Sequence, residues 1–249
     1  MLTLPVPGDW ETLTYSDIMA PGGRSYAEIL EDLDSGAKKE REAVHLDPDL
    51  VRGVRKRPQS WLPAFGQGRA AESHLENQGV SRGDLFLYFG WFRHTQEVGG
   101  KLRFQGDDNG FHAIFGYLEI GDIFCASGAA KLPDWLNDHS HAYAAARKRN
   151  NNTIYVAKPN LSFHPAYPGA GVFEFNERKV LTKDGKSRSR WNLDPEIFRN
   201  VTISYHSENS WKDGYFQSAG RGQEFVIHAD ERVVEWAFSL IKDASLWEH

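Results

Sequence analysis

The chain is predicted to fold as an α+β protein, a single domain over residues 1–249 with a curved, mostly antiparallel sheet and flanking helices. Three observations predict it. Apolar, β-rich segments crowd the middle of the chain, whereas helix signals are few and lie mostly outside that stretch. The two strongest apolar segments are joined by a glycine-rich connection, which makes them antiparallel neighbours. No internal repeat, low-complexity linker or shift of composition divides the chain, so residues 1–60 read as an acidic and then basic N-terminal region leading into a β-rich core at 61–249 that ends in a helix.

The elements follow in order. Ser25 with Glu28 three residues on reads as a capping box, starting a short amphipathic helix that ends near Gly36. Arg69 to Gln78 reads as a helix stopped by Gly79. The run Gly83-Asp84-Leu85-Phe86-Leu87-Tyr88-Phe89-Gly90-Trp91-Phe92-Arg93 is too apolar for a half-exposed edge and reads as a central strand buried on both faces. A 17-residue polar connection carrying Gly99-Gly100 and Asp107-Asp108-Asn109-Gly110 leads to its partner at Phe111 to Ile120. Pro133 to Arg147 reads as a further helix with cations at its C-terminal end, followed by short strands at Thr153 to Ala157, Val172 to Phe175, Val201 to Tyr205 and Glu224 to Ile227. Asp230 caps the last helix, in which Val233, Val234, Ala237, Phe238, Leu240 and Ile241 recur at helical spacing.

Composition narrows the function classes. With 29 Lys+Arg against 34 Asp+Glu the formal charge is −5, which argues against a protein that coats duplex DNA. The charge is uneven: Asp9 to Asp34 holds seven acids and one Arg, while Arg52 to Arg57, Arg147-Lys148-Arg149 and Glu177 to Arg190 are basic islands. These islands read either as solvated loops or as a phosphate-binding rim. The one cysteine, Cys125, forms no internal disulfide and reads as a small buried residue. No run reaches the about 18 apolar residues of a membrane span, and the N-terminus lacks the charged and apolar regions of a signal peptide. The chain therefore reads as cytoplasmic, with no membrane partner. There is no GxxxxGK[ST], GxSxG or HExxH, and Gly66-Gln67-Gly68 and Gly169-Ala170-Gly171 read as tight turns.

Three groups could carry chemistry. Along an extended segment, His45, Asp47 and Asp49 fall on one side, and Pro48 holds the backbone away from helix. Such a face suits a water-activating base or a divalent metal; it reads equally as a turn with Asp49 capping a helix. Asp138-His139-Ser140-His141 contains His-x-His, but within a helix these side chains point apart, and the segment reads as a polar loop. In Gly220-Arg221-Gly222-Gln223-Glu224, Arg221 between glycines can approach an anion, with Gln223 and Glu224 matching a base edge. The alternative there is a loop in which Arg221 and Glu224 form a surface ion pair. Trp91, Trp191 and Trp211 read as base-stacking surfaces or as core.

Read together, several segments resemble the nucleotide modification associated domain 3 family. They are His45-Leu46-Asp47-Pro48-Asp49-Leu50, Phe65-Gly66-Gln67, His74 to Val80, Gly83 to Arg93, His112 to Tyr117, Asn151 to Ala157, Pro168 to Gly171 and Arg221 to Val226. In that family a Ser-Arg-Lys-Gly-Phe-Asp stretch precedes the Leu-Pro-x-Pro segment. Here Met1 stands directly before Leu2-Thr3-Leu4-Pro5, which reads as a shorter variant or a late start codon. The order of apolar strand, long connection and Gly-Tyr-Leu-Glu-Ile is also similar to the core of PUA-like barrels, which hold nucleic-acid or modified-base ligands.

The resemblance implies a protein that acts on a nucleotide or nucleic acid in base modification, with the reaction and the cofactor unassigned. His45, Asp47 and Asp49 are then the catalytic or metal-holding edge. Gln67, Trp91, Arg93, His112, Arg221, Gln223 and Glu224 are the substrate-binding set. The alternatives are a non-catalytic reader of a modified base and an accessory subunit of a modification system.

Overall fold

The computed structural model describes residues 1–8, 13–34, 42–106, 108–219 and 224–242. Near its start Val6–Pro7 (β1) pairs with Val44–His45 (β2), beside the first helix, Tyr26–Leu33 (α1). The capping box forms as expected: Glu28 N–H donates to Ser25 Oγ at 3.2 Å, and Ser25 N–H donates to Glu28 Oε2 at 2.7 Å. Ala64–Gly68 (β3) runs directly into Arg69–Asn77 (α2), and Gly79 follows at φ +78°, a conformation in which glycine carries no Cβ penalty. Leu85–Phe92 (β4) then leads into the long connection. This holds a hairpin of its own, Thr95–Val98 (β5) and Lys101–Phe104 (β6), turning at Gly99-Gly100. The hairpin is pinned to α1 at Asp32, which accepts from Leu102 N–H at 3.1 Å and from Arg103.

The longest strand, Phe111–Cys125 (β7), organises the sheet. It is followed by the single turn Ala144–Arg147 (α3), Asn152–Ala157 (β8) and Ala170–Val172 (β9). The strand order is β3-β8-β7-β4, antiparallel throughout, with β9 also paired to β7. β7 changes partner from β9 to β8 at a register shift between Ile120 and Asp122. Gly121 sits there because a Cβ would come within 2.9 Å of Lys158 N. Bent at this point, the sheet curls into a half-barrel. Phe65 on β3 reaches Phe86 and Tyr88 on β4 at ring distances of 5.2 and 5.3 Å, although the two strands stand at opposite ends of the order.

The remaining elements are short: Arg190–Trp191 (β10), Pro195–Phe198 (α4), Thr202–Ile203 (β11), Trp211–Lys212 (β12), Tyr215–Gln217 (β13), Ile227–His228 (β14) and Glu231–Lys242 (α5). Asp230 caps α5 through Val233 N–H at 3.2 Å. One cluster packs Phe86, Tyr88, Leu118, Ile120 and Tyr155 on one side of β4 and β7. Another packs Leu85, Leu87, Phe89, Ile114, Tyr117 and Phe173 on the other, against α4 and α5. Among the described residues no helix is long and apolar enough to cross a membrane.

Four expectations are corrected. β4 has cores on both faces but is an outer strand of the order, and the central place belongs to β7. Cys125, the last residue of β7, is exposed, because alternation along the strand turns it away from the core that Phe124 and Ala126 join. The helix expected over Pro133 to Arg147 breaks into 3-10 turns at Asp134–Leu136 and Ser140–Ala142 before α3. Side-chain bonds replace its ladder: His139 Nδ1 accepts from His141 N–H at 3.2 Å, and Asn152 Nδ2 donates to His141 O at 2.9 Å. In the Arg52 to Arg57 island Lys56 is exposed, but the three arginines are taken up by the chain itself. Arg52 donates to the carbonyls of Pro58, Gln59 and Trp61, Arg55 to that of Asp138, and Arg57 to Asp49.

Glu119 marks a point where the curl depends on a buried charge. It is 1 % exposed, accepts from Ser162 N–H at 2.7 Å and pairs with Lys158 at 2.9 Å. Those hydrogen bonds hold its carboxyl below the usual range against the effect of burial. Glu119→Ala strands both donors and is expected to cost about 2 kcal/mol, read as a lowered urea midpoint.

Candidate acid–base site

β3 is an edge strand, and its outward N–H groups need acceptors. The Asp47-Pro48-Asp49 segment supplies them, with a cis peptide between Asp47 and Pro48. Asp49 exchanges backbone hydrogen bonds with Ala64 at 2.8 and 3.0 Å, and Asp47 Oδ1 accepts from Gly66 N–H at 2.8 Å. The second oxygen, Asp47 Oδ2, lies 3.2 Å from His141 Nε2, with both side chains about nine-tenths buried. His141 comes this close because residue 66 is glycine: a Cβ there would overlap His141 Cδ2 and Cγ and stand 2.9 Å from His139 Cε1.

Hydrogen-bond bookkeeping fixes the proton on one side of His141. Asn152 Nδ2 donates to the carbonyls of Ala126 and His141, at 3.1 and 2.9 Å. Its Oδ1 is therefore the acceptor for His141 Nδ1, 2.5 Å away, so Nδ1 carries hydrogen. His141 Nε2 then faces Asp47 Oδ2 across the 3.2 Å contact, a path along which a proton can pass between ring and carboxyl. That is the chemistry of a general acid–base pair, with Asn152 as the orienting third group.

A small cavity is lined by the sequence neighbours of the pair, Leu46 beside Asp47 and Ser140 beside His141, though not by Asp47 or His141 themselves. It has a volume of about 10 Å³, close to the room one water molecule needs, and is lined by His45, Asp49, Arg55, His139, Ser140 and Tyr143 among others. Its wall holds buried polar atoms that lack a hydrogen-bond partner among the described residues: His139 Nε2, Ser140 Oγ and Arg55 Nε. Since His139 Nδ1 already accepts a bond, the neutral ring carries its proton on Nε2. The cavity thus offers donors to a single oxygen atom. Asp49 closes the wall as a buried ion pair, Oδ1 to Arg57 at 2.5 Å, and Arg57 also stacks over Trp61 at 4.9 Å.

Burial sets the titration of this region. It takes His139 down to about 4, despite the pull of Asp47, and takes Asp49 up to about 6, against the pull of Arg57. Burial, helped by the charge of Arg188, also lowers His112 to about 4. Both histidines bind protons better when the chain is unfolded, so their stabilising effect is lost as the pH falls from 6.5 toward 4. Asp49 acts in the opposite sense below pH 6. Two histidines outweigh one carboxyl, and the chain is expected to lose about 3 kcal/mol between pH 7 and pH 4.5. His139→Gln should remove a large part of that difference in urea midpoints; equal midpoints at the two pH values in the unaltered chain would contradict it.

The structure gathers His45, Asp47 and Asp49 at this site, and adds His139, His141 and Asn152, which sequence reasoning missed. The signal was His-x-His itself, set aside because a helix would part the two rings. The substrate-binding set is dispersed. Gln67 projects from the other face of β3, donating through Nε2 to Glu224 Oε1 at 2.6 Å. Trp91 is 53 % exposed on β4 with Arg188 over its ring at 5.1 Å. Arg93 donates to Asp108 O at 3.1 Å and stacks on Phe104. His112 is in the core, accepting from Trp191 Nε1 at 3.0 Å. Arg221 and Gln223 lie outside the described residues. The metal-holding reading fits poorly: Asp49 is taken by Arg57, Asp47 by Gly66 and His141, and no three His, Cys, Asp or Glu among the described residues form a metal-holding group.

Compared with known families, the chain matches nucleotide modification associated domain 3 over residues 1–228. It belongs to this family. The match covers every residue of the Asp47–His141–Asn152 network and the sheet that carries it. No curated protein and no solved structure matches the chain.

Proposed function

We propose that this protein acts on a nucleotide, free or within a nucleic acid, and that Asp47 and His141 transfer the proton in that step. The observation that carries the reading is the 3.2 Å contact between two buried groups, His141 held by Asn152 and Asp47 by Gly66 N–H. A purely structural ion pair needs no wall of unpartnered donors beside it, whereas a reacting oxygen does. The family association with nucleotide modification supplies the substrate class. His139 Nε2, Ser140 Oγ and Arg55 Nε are the groups available to bind the oxygen that gains charge, while Asp47 and His141 deliver or remove a proton.

A non-catalytic reader of a modified base would need aromatic rings around its pocket. Tyr143 is the one aromatic residue among the cavity's described lining, and Trp91 stands apart on β4. This favours the catalytic reading. The test is nucleoside mass spectrometry of DNA and of the nucleotide pool from cells with the gene deleted, then complemented by the unaltered gene or by Asp47→Ala. A changed profile on deletion, restored by the unaltered gene alone, is expected; an unchanged profile on deletion would overturn the proposal.

A further inference from the structure

We infer that a basic cleft beside the acid–base pair is a phosphate subsite, so that the ligand is a phosphorylated nucleotide or a nucleic-acid strand and not a free base or nucleoside. The cleft has a volume of about 530 Å³ and is lined by Arg69, Ser73, Lys148, Arg149, Asn150 and Asn151, with Ala145. Three cations and no carboxylate face it. Neither Arg69 nor Lys148 has a carboxylate partner among the described residues.

Its place in the fold ties it to the pair. Gly66 and Gly68 lie on the same face of β3, two residues and about 6.6 Å apart. Gly66 abuts His141 and Gly68 abuts Arg149, whose Nη1 would be 3.4 Å from an added Cβ. The segment from Asp138 to Asn151 lines both spaces: Asp138, His139, Ser140 and Tyr143 face the small cavity, and Lys148 to Asn151 the cleft. A phosphate in the cleft would therefore sit within one nucleotide's length of the Asp47–His141 pair.

Arg69 adds an independent sign. It stands at φ +61°, in the left-handed region where a side chain is strained, at the junction of β3 and α2. Glycine would relieve that strain, yet the position carries a cation that lines the cleft. No aromatic residue lines the cleft, so it suits phosphate and sugar, with the base left to another part of the site.

The subsite rests on the proposed function for the nature of the ligand, and its test is separable from that of the reaction. Binding of thymidine, thymidine monophosphate and a labelled ten-nucleotide oligothymidylate would be measured for the unaltered chain, Arg69→Gly and Lys148→Gln/Arg149→Gln. The monophosphate or the oligonucleotide should bind at least about tenfold more tightly than thymidine, and the double variant should weaken that binding about tenfold or more, flattening the salt dependence of the oligonucleotide by about 1.4 in log–log slope. Arg69→Gly should weaken binding while its thermal midpoint stays equal or rises, which a merely structural arginine would not do. Tighter binding of the oligonucleotide would assign the phosphate to a strand, and tighter binding of the monophosphate to a free nucleotide. Binding unchanged in the double variant, or no binding of either phosphorylated probe, would overturn the subsite. If the cleft variants bind normally while deletion still changes the nucleoside profile, the subsite fails alone; if they lose binding while deletion changes nothing, the reaction fails alone.

Discussion

Gly66→Ala is expected to destabilise the protein by about 3 kcal/mol and to dismantle the acid–base site. In most strands this substitution would help, because alanine loses less conformational freedom on folding than glycine. Here the added Cβ would overlap the ring of His141 and press on His139, and both rings are buried. Overpacking of this kind costs about 1–3 kcal/mol. Displacing His141 also breaks its bonds to Asn152 and Asp47, each worth about 1 kcal/mol. Gly68→Ala is the control two residues along the same face. Its Cβ would meet Asn151 O at 3.1 Å and the mobile end of Arg149 at 3.4 Å, so its cost should stay near 1 kcal/mol. Urea midpoints at pH 7 measure both, and equal stability of the unaltered chain and Gly66→Ala would refute the packing argument.

Asp47→Asn is expected to lower turnover by about 10²–10⁴-fold while changing stability by less than about 1 kcal/mol. The asparagine amide can reproduce both contacts, its oxygen taking Gly66 N–H and its NH₂ donating to a bare His141 Nε2. Geometry survives and proton exchange does not. Asp47→Ala differs in leaving Gly66 N–H and His141 Nε2 without a partner, so it should lose stability as well as activity. The contrast separates the chemical role of the carboxylate from its role as an acceptor at the edge of β3. Nucleoside profiles from complemented cells, read beside the urea midpoints of the purified variants, measure it.

Much of the scaffold was legible because its signals are local. The Ser25–Glu28 capping box, the glycine stop after α2 and the apolar stripe of α5 each act within a few residues. The curl of the sheet was expected only in outline. It depends on Gly121 at the shift in β7 and on contacts between β3 and β4, distant along the chain. The site shows the same division. Alternation along His45, Asp47 and Asp49 was readable; His45 and Asp49 line the small cavity, and Asp47 binds Gly66 N–H and His141. Their partners were not: His141 reaches Asp47 because the expected helix breaks and because Gly66, on another element, leaves room for the ring. The basic run Arg52 to Arg57 misled for a related reason, since its arginines bond backbone carbonyls and Asp49 of other segments.

The account turns on the proton arrangement of His141, and ¹⁵N NMR of the histidine side chains at neutral pH reads it directly. Asn152 should hold hydrogen on Nδ1 in both the unaltered chain and Asp47→Asn. Nε2 should share its proton with Asp47 in the unaltered chain and become a bare acceptor in Asp47→Asn. A ring protonated on Nε2 alone in both proteins would contradict the shared proton and, with it, the acid–base role of the pair.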